Sequence, residues 1–578
     1  MILKRGRCAS VRELVCQNTG MDPEKLLKDQ DNYQINGLEE FGQIMRNRIS
    51  QKKTIYVFGD YDVDGVCASA IIQIGMNSIG YGNKTIVRLP RRFTEGYGIS
   101  EKAISEFEDN QVLITVDNGI SAIDAIKKAK EKGMTVIIID HHLPQKDKQG
   151  NVLFPDADLI IDPKAIPGSS DFDGYCGAGL AYKAMRKLVT NSQAIWKMYC
   201  ISALATVADV VPLAGENRRT VKAGLENITN MKYATSGLYA LLLACECNEY
   251  VNEEIVAFKL APCLNAPGRL MDYGSYESFK LLSFEGSLKE AKVMAEKQIE
   301  YNETRKQLSD EWTAKAKEAV TSKMLLKEKP IIMQLDGIPE GIVGIVAGKI
   351  SEYTKTPCII LAQAEGTTGL LKGSARTYGD VHLFNLINEG AQYLTRFGGH
   401  KEAAGLSIHQ DNLSAFKECL NRAYERDYPK VEEDTNIYYD LLLDGGDRMS
   451  LASTLEDIRK YGPYGQGNPS PVLYIKNLLL TPVGSAHFKY MGDHSAVKLM
   501  STDLDCVSFD DVDRFERMGA PTLINVVGTV TLNYYMGKYK YQLEFIEIEE
   551  SERYRKKPSA LASLLAKKAA ERRGNEGT

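Results

Sequence analysis

The sequence has no apolar run approaching the 18 or so residues of a membrane-spanning helix. Its first residues, MILKRGRCASVRE, turn charged before a signal-type apolar core could form. Its 11 cysteines include no CxxC pair, the closest two being Cys245 and Cys247. That spacing argues against a cysteine zinc framework or a paired disulfide set, and it fits a reducing compartment. Neither sign of charge dominates, since 71 Lys and Arg against 76 Asp and Glu leave a net charge of −5. The bulk composition therefore announces no polyanion binder. No internal repeat or low-complexity segment is present. These absences predict a soluble, cytoplasmic chain; the residues do not give its oligomeric state, for which a monomer is the expectation. What is present is ordinary globular usage, 44% hydrophobic and 25% charged over 578 residues, enough for about three to five domains.

Charge is unevenly placed. Residues 551–578 carry eight basic and three acidic side chains, so this tail holds +5 and the remainder −10. Pro558-Ser559 could open a short helix with Leu561, Leu564 and Leu565 on one face. The first reading is a solvated tail, and the second a contact with nucleic acid or a partner.

Residues 1–50 are polar and weakly patterned. From residue 52 short β-rich runs alternate with helical stretches, the signature of an α/β unit. The runs are 54–58 (TIYVF), 85–89 (TIVRL), 112–116 (VLITV) and 135–139 (TVIII), with helical segments at 66–78 and 121–132. Near-continuous apolar strands joined by helices predict a parallel sheet covered on both faces. Between 287 and 329 there is no Gly or Pro, and Leu288, Ala291, Ala295, Ile299, Leu308, Trp312, Ala316 and Val320 keep a helical spacing. A long connecting helix is expected. A second α/β unit follows from Pro330, with GLLKGSAR at 369–376 and GGHKEAAG at 398–405. After about residue 432, short strands with Pro and Gly turns, ending in a hairpin pattern at 530–548, predict a small β-barrel.

Acidic groups sit where the strands end. TIYVF runs into GDYDVDG (59–65), VLITV into Asp117-Asn118-Gly119, and TVIII into Asp140-His141-His142. Strand C-termini of a parallel sheet share one edge, where ligands bind, so these groups converge although 80 residues separate them. Any single Asp could be a turn former. Asp60, Asp62, Asp64, Asp117 and Asp140 together cannot stay ionised without cations. At about 4 Å, an effective dielectric of about 20 gives roughly 4 kcal/mol of repulsion per pair. Carboxylates with imidazole and no thiolate suit Mn²⁺ or Mg²⁺ better than structural zinc. Two such ions point to hydrolysis of a phosphoryl ester. The residues alone leave pyrophosphate, cyclic dinucleotides, oligonucleotides and long single strands open as substrates.

With these motifs the sequence resembles the DHH phosphoesterase superfamily and, within it, the RecJ family, over about residues 50–550. GDYDVDG, TVDNG (115–119), Asp140-His141-His142 and TVADVVPL (206–213) resemble its four catalytic motifs. LNAPGR (264–269) resembles a family motif usually written with Ala where this chain has Pro267. GIVGIVAGKI (341–350), GSAR (373–376) and GGHKEAAG resemble the DHH-associated domain, and YGPYGQGNPSP (461–471) the family's β-barrel. The resemblance implies an N-terminal extension (1–50), a DHH catalytic domain (51–285), a connecting helix (286–329), a DHH-associated α/β domain (330–431), an OB-type barrel (432–550) and the basic tail (551–578).

It further implies one metal on Asp64, Asp117, His141 and Asp209, and a second on Asp62 and bridging Asp117 with Asp60 assisting. His142 would contact the scissile phosphate, and Asp140 would orient the neighbouring imidazole. Arg269, Ser374, Arg376 and His400 match positions that grip DNA phosphates, and Arg92 in PRRFTEGYG matches an Arg near the 5′ end pocket. The implied activity is a 5′-to-3′ single-strand-specific exodeoxyribonuclease of recombination and mismatch repair, working beside a single-strand-binding protein and a RecQ-type helicase. A narrow channel between the two α/β units would exclude duplex by width.

In the C-terminal hairpin, Tyr539 and Tyr541 share one face of a strand and Lys538 and Lys540 the other. Exposed tyrosines there could stack bases while lysines follow the backbone, or the tyrosines could simply pack the barrel. Two rival readings are an oligoribonuclease or cyclic-dinucleotide phosphodiesterase of the same superfamily, and an inactive strand-binding scaffold.

Overall fold

The structure is a computed structural model and describes residues 1–552 apart from 7, 23–32, 148, 323, 365–366, 429–435, 483–485, 493–495, 503, 510–511 and 536–537. The basic segment 553–578, with the helix expected after Pro558, lies outside the described residues.

The first sheet is built from the apolar runs. It comprises β1 (Ile55–Phe58), followed by α1 (Val63–Ser78), then β2 (Thr85–Arg88), β3 (Val112–Val116), β4 (Thr135–Ile139) and β5 (Leu159–Ile161). The order is β2-β1-β3-β4-β5, all parallel. Every residue of β1, β3 and β4 is buried, as strands covered by helices on both faces require. Helix α1 is apolar all round and accordingly buried along most of its length. Around it pack α2 (Gly177–Met185), α3 (Ser192–Ala208), α4 (Gly215–Asn227) and α5 (Ala261–Leu270). Pro267 lies inside α5, one turn from its end.

The Gly- and Pro-free stretch is one helix, α6 (Leu288–Ser322), of 35 residues. Ala291 and Ala295 bury against the first core, and Ala316 and Val320 against the next. The second unit contains β6 (Ile331–Gln334), α7 (Val343–Thr354), β7 (Cys358–Gln363), β8 (Leu370–Arg376), β9 (Leu394–Gly399) and β10 (Ala403–His409). Its order is β9-β10-β8-β7-β6, with only β6 and β7 parallel. The last unit begins with strand Leu441–Asp444, the edge of a seven-stranded sheet, and continues with α8 (Arg448–Tyr461), which packs in the same core. The expected hairpin is present as Leu523–Tyr535 paired antiparallel with Lys538–Glu550.

Residues 1–50 are more structured than their weak patterning indicated. Strand Ile2–Lys4 pairs with Ile437–Tyr439, and helix Val11–Thr19 buries Val11 and Val15 in the core of the last unit. Helix Leu38–Ser50 instead buries Phe41 and Met45 in the core of the first. The few apolar residues of this segment are concentrated on one face of each helix, which composition alone conceals. All 11 cysteines are free. No helix among the described residues is long and apolar enough to cross a membrane.

If residues 38–50 belong to the first core, Phe41→Ala should cost about 3–5 kcal/mol. The check is the denaturant midpoint followed by tryptophan fluorescence, since Trp196 stacks on Tyr233, which packs against that core; an unchanged midpoint would contradict this packing.

Candidate metal centre and phosphate-facing groups

Each strand end of the first sheet places its acidic residue through local backbone chemistry. Asp62 caps α1, its carboxylate accepting from the Gly65 N–H at 3.1 Å. Asp64, in the first turn of α1, accepts from the Gly177 and Ala178 N–H groups at 2.6 and 2.9 Å. These are free donors at the start of α2, where a negative charge is stabilised. Asp117 leaves β3 with φ of 61°, a left-handed conformation that a residue with a Cβ holds only when its surroundings enforce it. Enforcement comes from Asn118, whose Nδ2 donates to Phe58 O at 3.1 Å and Val116 O at 2.9 Å and so ties β1 to β3. Asp209 caps the C-terminal end of α3, and Val210 beside it also has a positive φ, 57°. A β-branched residue in that region is strained.

These elements bring together Asp60, Asp62 and Asp117 in one group of mutually close ligand atoms, and Asp64, His141 and Asp209 in another. His141 Nε2 lies 3.1 Å from Asp117 Oδ1, 3.6 Å from Asp209 Oδ2 and 3.7 Å from Asp64 Oδ2. Burial holds the His141 ring down to about 3, so it is neutral. Its Nε2 has no hydrogen-bond partner and faces the carboxylates. Burial, then neighbouring carboxylates, pushes Asp60 and Asp117 far above the carboxylate range, Asp209 to about 9 and Asp64 to about 6. Asp60 Oδ1, Asp117 Oδ1, Asp209 Oδ2 and His141 Nε2 are all buried without a hydrogen-bond partner. Four such atoms aimed at one another are costly unless a cation fills the space between them. The donor set, carboxylates and one imidazole, fits Mn²⁺ or Mg²⁺.

Asp140 stands outside both groups. It accepts from the Ile120 and His141 N–H groups at 3.0 and 2.8 Å, and its Oδ1 lies 2.8 Å from His142 Nδ1. Burial pulls His142 down but the Asp140 carboxylate outweighs it, raising the imidazole to about 9 and making it a cation. Tyr97, within the motif that supplies Arg92, places its hydroxyl 3.1 Å from His142 Nδ1.

Both α/β units supply cations, Arg92 and Arg269 from the first and Arg376 from the second. Arg92 lies over the Tyr61 ring at 4.5 Å, Arg269 donates to Gly341 O at 3.2 Å, and Arg376 donates to Ser374 Oγ at 2.8 Å. Burial and mutual repulsion with Arg92, Arg376 and Arg305 bring Arg269 down to about 9. Among the described residues none of these three guanidiniums has a carboxylate in ion-pair range. Gly344 lies against this group, since a Cβ there would fall 2.7 Å from Arg376 Nη2. His400 is exposed, and burial followed by the His142 charge lowers its titration, which sets it toward the first unit. Gly399 is required by strand pairing, its φ being 152° with Ala404 where a Cβ would go, whereas Gly398 faces open space.

In the hairpin, Tyr539 is 51% exposed beside Tyr534 and Tyr250, with ring centroids 4.9 and 5.4 Å away. Tyr541 packs against the core of the last unit and bonds Glu456. Lys540 pairs with Asp505 at 2.7 Å, which leaves Lys538 as the solvated lysine of this face. Sequence reasoning missed Gly177, Ala178, Asn118 and Tyr97. The small-residue run CGAG at 176–179, opening a helix, was the one available signal for the first two.

Comparison with known proteins gives three family matches: the DHH family N-terminal domain over residues 54–211, the DHHA1 domain over 327–426 and the RecJ OB domain over 448–547. The chain is 30% identical to the single-stranded-DNA-specific exonuclease RecJ of Bacillus subtilis over 90% of its own length, and spans 64% of that protein. It is 30% identical to the protein of the same name from Salmonella typhimurium, covering 83% of this chain and 84% of that one. The crystal structure of RecJ from Thermus thermophilus in complex with Mn²⁺ superposes with a TM-score of 0.71 at 24% identity, covering 95% of this chain and 80% of that one.

A Cβ at Gly177 would lie 2.6 Å from the Asp117 Cβ, whereas at Gly179 the nearest atom is 3.7 Å away. Gly177→Ala should therefore weaken Mn²⁺ binding by about 10- to 100-fold with every ligand retained, and Gly179→Ala should leave it unchanged. Titration calorimetry distinguishes them, and equal affinities would contradict the site geometry.

Proposed function

The chain belongs to the RecJ family of DHH phosphoesterases, and from that premise we propose that it is a metal-dependent exodeoxyribonuclease degrading single-stranded DNA from the 5′ end to mononucleotides. The observation that carries this reading is the pair of acidic groups with four buried, unpartnered ligand atoms, facing guanidiniums that lack carboxylate partners. Asp64, His141 and Asp209 with Asp117 would hold one ion, and Asp60 and Asp62 with the same Asp117 the other. Bound there, two divalent ions would lower the pKa of the attacking water and balance charge on the leaving oxygen.

The chain's own groups do the rest. The His142 cation, oriented by Asp140 and Tyr97, holds the scissile phosphate. Arg92, Arg269 and Arg376, with Ser374 and His400, take the phosphates that follow, and forked guanidiniums suit their oxygens. Lys372, which donates to Phe93 O at 2.9 Å, braces the second unit against the Arg92 loop. Backbone-directed gripping carries no base preference, so cutting is sequence-tolerant. Tyr539 offers a stacking face in the last unit, and Tyr541 supports it by holding Glu456. Family membership supports work in recombination and mismatch repair beside a single-strand-binding protein and a RecQ-type helicase, the enzyme acting as a monomer.

With Mn²⁺ and single strands labelled at either end, the 5′ label should appear as mononucleotide at once and the 3′ label only late, with duplex spared. An Asp64→Ala/Asp117→Ala variant should lose at least about 10⁴-fold in rate. Rapid dinucleotide turnover, unaffected by removing residues 432–550, would instead favour the small-substrate phosphodiesterase.

A further inference from the structure

The loop that follows Asp209 runs straight into α4, and α4 carries Arg218, among the largest fully buried side chains at 2% exposure. A buried guanidinium is ordinarily paired with a carboxylate, yet among the described residues none lies within ion-pair range of this one. Its two terminal nitrogens donate instead to Tyr461 O at 2.6 Å and Pro463 O at 3.2 Å. Lys222, one turn further along α4, donates to Lys460 O at 3.3 Å. Both cations therefore sit on the C-terminal end of α8, in the last unit. That end has no left-handed cap, because Gly462 leaves the helix extended with φ −62° and ψ 169°. The last-turn carbonyls of α8 need donors from elsewhere, and the negative end of the helix dipole favours cations there.

The same junction is closed on both sides. Leu213 N donates to Gln466 O at 2.7 Å, and Tyr464 N donates to the buried Glu253 carboxylate at 2.7 Å. Gly465 lies on Leu213, so that a Cβ would fall 2.9 Å from Leu213 Cδ1. The 461–471 segment is thus fastened to the stretch directly after Asp209, and Arg218 is its central fastening. A shorter or singly donating side chain could not reach both carbonyls.

We propose that Arg218 is a positioning residue that latches the C-terminal unit to the catalytic unit and so sets how a long strand held by the C-terminal sheet is presented to the metal centre. The proposal rests on the exonuclease reading for its kinetic consequence, while the latch itself is a property of the protein alone. Two binding surfaces held at a fixed separation act on one strand with a high effective concentration, and loosening the link lowers it. A substrate too short to span both surfaces gains nothing from the link.

The test uses the full chain with Arg218→Ala, Arg218→Lys and Gly465→Val, the last wedging the junction from the opposite side. Small-angle scattering measures the protein without substrate, and steady-state kinetics compare a trinucleotide with a strand of about 40 nucleotides. Arg218→Ala should enlarge the radius of gyration and raise KM for the long strand about tenfold or more, with its kcat and all trinucleotide turnover unchanged. Gly465→Val should reproduce that split, and Arg218→Lys, keeping the charge, should fall between. Unchanged scattering overturns the latch. Equal losses on short and long substrates overturn it as well, assigning Arg218 to the catalytic unit's own stability. If the unaltered protein cuts no single strand, the exonuclease reading fails, and scattering still decides the latch.

Discussion

The like charge gathered at the strand ends of the first sheet is the constraint on which the rest of the structure depends. Asp60, Asp64, Asp117 and Asp209 are drawn out of water into one cleft, and burial alone drives their protonation upward. Such an arrangement is stable only when something else fixes the carboxylates and a cation supplies the missing charge. The fixing is visible in the N–H groups of Gly177 and Ala178 on Asp64, in the Asn118 brace, and in the left-handed backbone of Asp117 and Val210. Strain of this kind persists where the surrounding fold over-determines it, and here it sits on two candidate ligand-bearing turns.

The opposite sign is gathered from both α/β units under the same logic. Arg269 and Arg376 lie half-buried near Arg92 without carboxylates, burial and then neighbouring guanidiniums hold both below their usual range, and the group as a whole lacks an anion. The single strand of the proposed reaction would answer both deficits at once, its phosphates meeting the guanidiniums and its end reaching the cations that the acidic cleft would hold. The net charge of −5 conceals this, because phosphate binding needs only local charge.

Much of this was legible in the sequence because parallel sheets impose one rule: strand C-termini share an edge. Reading TIYVF, VLITV and TVIII as neighbours was sufficient to bring Asp60, Asp117 and His141 together, and the Gly- and Pro-free stretch fixed the long helix. What was not legible depends on contacts without local pattern. Asp64 is held by backbone 113 residues away, which no spacing reveals. Lys540 looked free until Asp505 was folded beside it. The chain's first twenty residues, polar on average, complete the core of the last unit through Val11 and Val15. Nothing in the polar sequence of α4 singles out Arg218, and only the placement of α8 buries it.

Crystals soaked in Mn²⁺ and measured at the manganese absorption edge test the central claim most directly, since anomalous scattering locates the ions without reference to activity. Two peaks are expected, one among Asp64, His141 and Asp209 and the other among Asp60 and Asp62, with Asp117 between them. A single peak, or peaks away from these side chains, would contradict the account of the acidic cleft as a two-cation site.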